Sequence, residues 1–343
     1  MRTLQRNIVH CAIFLPALLS IALVSCEREK PYVKETFVMG TQAWVTIYEL
    51  GPDEAEAAAE EALRELHRIE SFMSNWKKES EISRLNRESD GTPHKLSSEL
   101  FHVIERAVYF SSITAGAFDI SARPLVQLWG FQGGAAKLPS DSEIKGTMKL
   151  VGYEKLLLDM ESRSIMLPPG MELDLAGIAK GYAVDRAAAI LREHGVERGM
   201  VNLGGNIYAI GSPPGEDGWP VGIRDPRGGS SVVGSLLLED QAVATSGNYE
   251  NYIELEGQIY GHIIDPRTGR PVSRTLSVTV VAPRALDADA LSTGLFVLGP
   301  GGGESALELL PEAKALFAMP NGGEIVYERI GDFSGSLIID DSD

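Results

Sequence analysis

Between Asp53 and Met73 the apolar residues Ala55, Ala58, Ala62, Leu66 and Ile69 recur at helical spacing, with acidic residues crowding the first turn. That pattern predicts a helix with one buried face. The same period predicts a helix over Ser97–Ser111 (Leu100, Phe101, Ile104, Ala107, Val108). It also predicts helices over Ala179–His194, stopped by Gly195, and Ala285–Leu298, stopped by Gly299. Ser140-Asp141-Ser142-Glu143 fits a capping box and starts a short helix. Strand-like segments are Phe37–Tyr48, with Met39-Gly40-Thr41 inside it, then Leu156–Asp159, Ser164–Leu167, Met171–Leu175 and Val201–Ile210. Further along come Val232–Leu238, Tyr252–Glu256, Gln258–Ile264 and Leu276–Ala282. Ser305–Leu310, Lys314–Met319 and Glu324–Ile330 complete the pattern. Ser80–Asp90 reads as polar connection, Gly116–Phe131 as a loop-rich stretch and Gly211–Gly218 as a Pro/Gly loop. Strands fall in hairpin-like groups with helices between the groups. The expected fold is therefore α+β with antiparallel sheets and packed helices, not a doubly wound parallel sheet.

Composition narrows the class. The 343 residues allow about two domains or one large one, and 44% apolar with 23% charged residues is ordinary for a chain with a real core. The first 25 residues read as an export signal: Arg2 and Arg6, then an apolar run from Ile8 to Val24 broken by Pro16. Its end, Leu23-Val24-Ser25-Cys26, resembles a bacterial lipobox, which implies cleavage before Cys26 and lipidation of that cysteine. An uncleaved single-pass anchor is the alternative, but the run is short for a span and interrupted. Residues 26–35 then form a tether, and 36–343 one domain. With Cys11 lost and Cys26 lipidated, no thiol remains for a disulfide, a metal site or a nucleophile. The net charge of −17 argues against nucleic acid and against electrostatic adhesion to anionic lipid. A polyanionic ligand must be met by a local metal or a few local cations.

Four segments carry candidate chemistry. In Asp287–Thr293, Asp289 and Thr293 stand four apart on one helix face and offer a carboxylate and a hydroxyl to one point. Hard oxygens on a rigid element suit Mg²⁺. In Asp174–Asp185 a strand end and a glycine turn feed a helix; Gly177 has a carbonyl to offer a cation, and Lys180 is placed to meet a phosphate. His262 and Asp265 flank two apolar residues beside a tight turn, so His262 is a candidate general base or site-orienting residue. Phe118 offers a ring for stacking, Asp119 a hydrogen-bond acceptor, and Met39 and Trp76 an apolar pocket wall. Core or turn roles are the alternative for each residue taken alone. No Walker, GxSxG, HExxH or Rossmann pattern occurs.

In order along the chain stand MGT, AFD, WGF, DLAGIAKGYAVD, NLGGNI, ATSGNYE, GHIIDPRTGRPV and DADALSTGLFVLG. That series resembles the ApbE family of FAD:protein FMN transferases, over roughly Thr36–Gly299. The resemblance implies a T-fold-like α+β architecture with internal duplication. It implies a Mg²⁺-dependent enzyme that transfers FMN from FAD to a threonine or serine hydroxyl of an acceptor flavoprotein, such as a respiratory-complex subunit, and releases AMP. Asp289 and Thr293 match side-chain metal ligands, Gly177 a carbonyl ligand, and Ser292 lies adjacent. Met39, Trp76, Ala117, Phe118, Asp119, Asp174, Lys180 and Ile264 match positions lining FAD. His262 matches a histidine implicated in catalysis, with Asp289 beside the metal; which group is the general base stays open. The lipobox implies an exported lipoprotein anchored to a membrane, facing the periplasm or the cell exterior. Two other readings share these residues: an FAD pyrophosphatase yielding FMN and AMP, and a non-catalytic, lipid-anchored flavin-binding protein.

Overall fold

The computed structural model describes residues 30–132, 136–248 and 251–339. The signal segment and Cys26 lie outside the described residues. Among the described residues no helix is long and apolar enough to cross a membrane.

The centre is an eight-stranded sheet, and its strands are numbered here alone: β1 Tyr32–Val38, β2 Thr41–Ile47, β3 Gly199–Leu203, β4 Asn206–Ile210, β5 Ala242–Gly247, β6 Ser277–Ala282, β7 Lys314–Asn321 and β8 Glu324–Ile330. They lie side by side in chain order, every neighbour antiparallel. The helices are α1 Pro52–Met73, α2 Glu81–Glu88, α3 Ser98–Ile113, α4 Arg123–Trp129, α5 Asp141–Thr147, α6 Ala179–Glu193, α7 Ala285–Leu298 and α8 Pro300–Glu308. Two strands, a helical passage and two strands run from β1 to β4, and the same sequence of elements runs from β5 to β8. The chain is α+β and antiparallel, as its hairpin grouping implies.

Alternation along the strands sets the layers. Ala242, Ala244, Val280, Ala282, Ala315 and Phe317 face the helices, in one core. Their neighbours Val243, Val281 and Leu316 point the other way, onto a second core with Trp219, Ile223, Leu236 and Leu238 of a smaller sheet. That smaller sheet has Val232–Leu238 between Trp219–Arg224 and Leu337–Ile339. Helices α1, α6 and α7 cover the first face. Twelve of the fourteen residues of α7 are buried, so it is apolar on nearly every side, as a helix packed between layers must be.

Several expectations are corrected. Phe37–Tyr48 is not one strand: Met39 and Gly40 turn the chain between β1 and β2, with φ of 51° and 77°. Glycine adopts that backbone without strain. Gly204-Gly205 likewise breaks the Val201–Ile210 segment into β3 and β4. Ser80–Asp90 holds helix α2, capped by the Ser80 hydroxyl, which accepts from the Ser83 N–H, and buried at Ile82 and Leu85. Gly116–Phe131 contains a 3-10 turn and α4. Met171–Leu175 is not a strand, because amide side chains take the place of a neighbouring strand. Asn86 Oδ1 accepts from Leu173 N (2.7 Å), and the amides of Asn75 and Asn86 donate to Leu173 O. The first strand begins at Tyr32, inside the segment assigned to the tether.

Candidate active site

Helices α6 and α7 cross in close contact, and three hydrogen bonds fix the crossing. Asp289 of α7 accepts from the Gly181 backbone N–H of α6 at 2.9 Å. In return Asp185 of α6 accepts from Ala285 N (2.7 Å) and Leu286 N (3.0 Å), the first amides of α7. Those amides have no cap from their own chain segment, so Asp185 supplies it. Burial pushes the Asp185 carboxyl up to about 6, against the pull of the two amides.

The strands aim at the same crossing. Ser246, at the end of β5, shares hydrogen bonds with Ser292 (2.9 Å) and Thr293 (3.3 Å) of α7. Asn206 opens β4 directly after the glycine turn. With its amide turned so that both ends are satisfied, the nitrogen donates to Asp289 Oδ1 (3.2 Å) and the oxygen accepts from Lys180 Nζ (3.3 Å). The Gly177 turn lies against Thr293: a Cβ on Gly177 would stand 3.1 Å from Thr293 Oγ1 and 3.2 Å from the Phe118 ring. Asp289, Ser292, Thr293, Gly177 and Lys180 therefore meet at one place; spacing implies this for Asp289 with Thr293, and the family resemblance for the two segments together.

A cleft of about 330 Å³ opens beside them where the two halves of the chain meet. Lys180, Asp289, Thr293 and Gly177 form one part of its wall, and Ala117, Phe118 and Asp119 another. Asp174, His262 and Ile264 line it too, with Trp76 at 74% exposure. Met39 does not line it; that residue sits in the β1–β2 turn, where its N–H donates to Glu70 (2.8 Å). Ser292 is 1% exposed; it does not line the cleft, and its hydroxyl bonds to two residues that do, Ser246 and the Asp289 carbonyl (2.9 Å each).

Roles differ among the lining groups. Asp119 accepts from Ser121 N (2.8 Å), Ser121 Oγ (2.6 Å) and Tyr153 N (2.8 Å), so it holds the turn that carries Phe118. Burial pushes its carboxyl above the usual range. Asp174 is tied to Asn75 and Gln132 and to its own turn through Ala176 N. The Nδ1 of His262 stands 3.0 Å from the Asn251 carbonyl. A carbonyl accepts only, so Nδ1 carries the proton and Nε2 of the neutral ring is left as an acceptor. Burial, then the positive charge of Lys180, holds the imidazole below its ordinary pKa, which keeps it a base. Asn206, Ser246, Gln132 and Arg123 belong to this site, yet sequence reasoning did not single them out. Asn206 and Ser246 lie in two of the ordered motifs, and that was the available signal.

Among the described residues no group of three or more His, Cys, Asp or Glu side chains converges to hold a metal. The donors gathered here are one carboxylate, hydroxyls and a glycine turn's backbone, all oxygen and none sulfur or imidazole. That set fits a hard divalent cation that takes few protein ligands, as Mg²⁺ does.

The fold and the cleft define an α+β protein of two like-built halves, with a buried carboxylate, a lysine and hydroxyls meeting between them. The chain belongs to the ApbE family, whose model matches residues 39–317. It is 35% identical to an FAD:protein FMN transferase of Vibrio cholerae, covering 86% of this chain and 90% of that one. With the FAD:protein FMN transferase of Escherichia coli K12 it shares 32% identity, over 90% and 92% of the two chains. The flavin transferase ApbE structure from Vibrio cholerae superposes with a TM-score of 0.80 at 29% identity, over 90% of this chain and all of that one. The ApbE protein of Thermotoga maritima gives 0.79 at 34% identity, over 87% and 96%.

Proposed function

We propose a working assignment for the cleft of this flavin transferase, which moves FMN from FAD to a protein. The FAD diphosphate lies against Lys180 and the amino end of α6. Asp289, Thr293 and the Gly177 carbonyl hold Mg²⁺, which when bound neutralises charge on the phosphates. A threonine or serine hydroxyl of the acceptor attacks the phosphorus of the FMN moiety. The new bond joins the acceptor oxygen to that phosphorus, the bridging P–O bond breaks, and AMP leaves with the bridging oxygen. His262 Nε2 takes the hydroxyl proton. Lys180 stays protonated and meets the charge that builds on the phosphates. Phe118 and Trp76 flank the planar rings. The acceptor is a flavoprotein such as a respiratory-complex subunit. The chain works as an exported lipoprotein held to a membrane through Cys26, on the periplasmic or outer side, with residues 26–31 as spacer.

The observation that carries this reading is the meeting of Asp289, Thr293, Gly177 and Lys180 at one wall of a cleft that also holds His262. The test is incubation with FAD, Mg²⁺ and candidate acceptors, followed by mass spectrometry of the denatured acceptor. A covalent gain of one FMN, dependent on Mg²⁺, is expected. Rapid multiple-turnover release of FMN and AMP without acceptor marks a pyrophosphatase instead; intact FAD throughout marks a binding protein.

A further inference from the structure

Successive residues of a strand face opposite sides of a sheet, and here that rule couples two cavities. Asn206 reaches Asp289 and Lys180, while its neighbour Ile207 faces the smaller sheet. Ser246 bonds to α7, and its neighbour Thr245 pairs with Thr279 (2.9 Å). Ile207, Thr245 and Thr279 wall a second gap, of about 120 Å³, between the central and smaller sheets. Its other side is formed by Val221, Ile223 and Leu236, with Arg224 the one charged residue of the lining. Thr245 lines both this gap and the cleft, so the two share a wall one strand thick. The turn at Gly204-Gly205 also lines the gap, and a Cβ on Gly205 would meet nothing within 4 Å, so this end is open.

Transfer requires both substrates at once. With FAD in the cleft, the acceptor must dock elsewhere yet bring its hydroxyl beside the phosphorus at Lys180 and Asp289. We propose that the acceptor segment passes the Gly204-Gly205 turn and seats an aliphatic side chain, next to its reacting hydroxyl, in the gap bounded by Val221, Ile223 and Thr245. The gap holds about four water volumes, room for one side chain of valine or leucine size. A third cavity also adjoins the cleft, but through Arg123, which is bonded to Glu172 and Gln132 rather than to the Asp289–Lys180 wall. Its walls carry Lys78, Arg87 and Glu172 and suit a polar group. The inference rests on the transfer reading above and adds where the acceptor is recognised.

The test uses a peptide library with a fixed central threonine, FAD and Mg²⁺, read by the mass gain of FMN. The native chain should favour an aliphatic residue at one position flanking the threonine. Val221→Trp fills the gap from outside the catalytic wall. It should erase that preference and raise the peptide KM by roughly 10- to 100-fold, the worth of burying one such side chain. FAD affinity and kcat should stay within about threefold, since the cleft wall is untouched. An unchanged preference and KM in a variant that binds FAD normally overturns the docking site but leaves transfer standing. No FMN on any peptide removes transfer, and the docking site with it. Hydrogen exchange on the native chain with FAD and a labelled-competent peptide needs no variant. Protection of 204–207 and 221–224 supports the site, and protection confined to 78–87 and 127 overturns it.

Discussion

Gly181→Ala tests whether the α6–α7 crossing sets the active site. A Cβ at residue 181 would lie 2.6 Å from the Ala285 carbonyl carbon and 2.7 Å from Leu286 Cα, with the Ala285 oxygen nearer still. All three are backbone atoms, so no rotamer change relieves them. Ordinary carbon contacts begin near 3.5 Å, so the helices must part by roughly 1 Å. Overpacking of this kind costs about 1–3 kcal/mol or more, against about 1 kcal/mol gained in helix propensity. The larger effect falls on chemistry. The Gly181 N–H to Asp289 bond of 2.9 Å cannot survive that movement, and Asp289 shifts relative to Lys180 and Thr293. A misplacement of this size lowers turnover by on the order of 100-fold. Gly195→Ala is the control, at the other end of α6. It has φ of 80° and open space around its Cβ, so it strains only the backbone. Thermal melts, FAD titration and FMN transfer should show both variants folded, with transfer lost in Gly181→Ala alone. If Gly181→Ala keeps transfer within threefold of the native rate, or loses no more than Gly195→Ala, the crossing does not position the site.

Asp289→Ala should abolish FMN transfer and weaken Mg²⁺ binding in a metal titration while the melt stays cooperative; retained activity would remove Asp289 from the metal site. His262→Ala should lower kcat by about 10²–10⁴-fold with little change in FAD affinity, as loss of a general base does. Because Lys180 helps to hold the His262 pKa down, the native rate should rise with pH through a value below the ordinary histidine pKa of 6.5 and then level. Lys180→Met should slow transfer and move that rising limb to higher pH. Asp185 has a folded pKa near 6 against an ordinary 3.8, so the stability it confers is full below its unfolded pKa and is lost as pH rises through about 6. Denaturant unfolding of the native chain should therefore weaken between pH 4 and 7 by on the order of 3 kcal/mol more than that of Asp185→Asn. Equal slopes in the two proteins would show that Asp185 does not titrate there.

Helix α7 was legible to the residue, Ala285–Leu298, because an alanine- and leucine-rich segment that opens on Asp287 ends at Gly299. Strands β7 and β8 carry enough apolar or alternating residues to read in the same way. Trp219–Arg224 was missed because Pro220 and Gly222 are poor strand residues, tolerated here on an outer strand of the smaller sheet. Strand β5 was missed because Ala-Val-Ala-Thr-Ser-Gly is short-chained; its strand character comes from β4 and β6 on either side, which the sequence does not display. The same limit hid Asn206. Nothing local says which face of β4 it occupies, and that face is set by the layers packed above and below. Met39 is a different case. Its motif was visible, and what the sequence does not display is that the turn at Met39 and Gly40 is tied to α1 through Glu70.

The polar residues of α7 show why fold and site are one device here. A helix buried on nearly every side can carry Asp287, Asp289 and Ser292 only if each is satisfied where it stands. Asp287 is met by Arg284 (2.9 Å) and by Arg106 of α3 (3.1 Å), which fixes the helix start against its neighbours. Asp289 is met by Gly181 of α6 and Asn206 of β4, and Ser292 by Ser246 of β5. Apart from the Arg284 bond, which lies at the helix's own start, these bonds tie α7 to α3, α6, β4 and β5, and the four elements must be in register before all are made. Asp289 therefore has little freedom to follow a ligand. The carboxylate is fixed before FAD arrives, and its reorganisation is already complete when charge builds on the phosphates, the condition under which electrostatic stabilisation contributes most to rate.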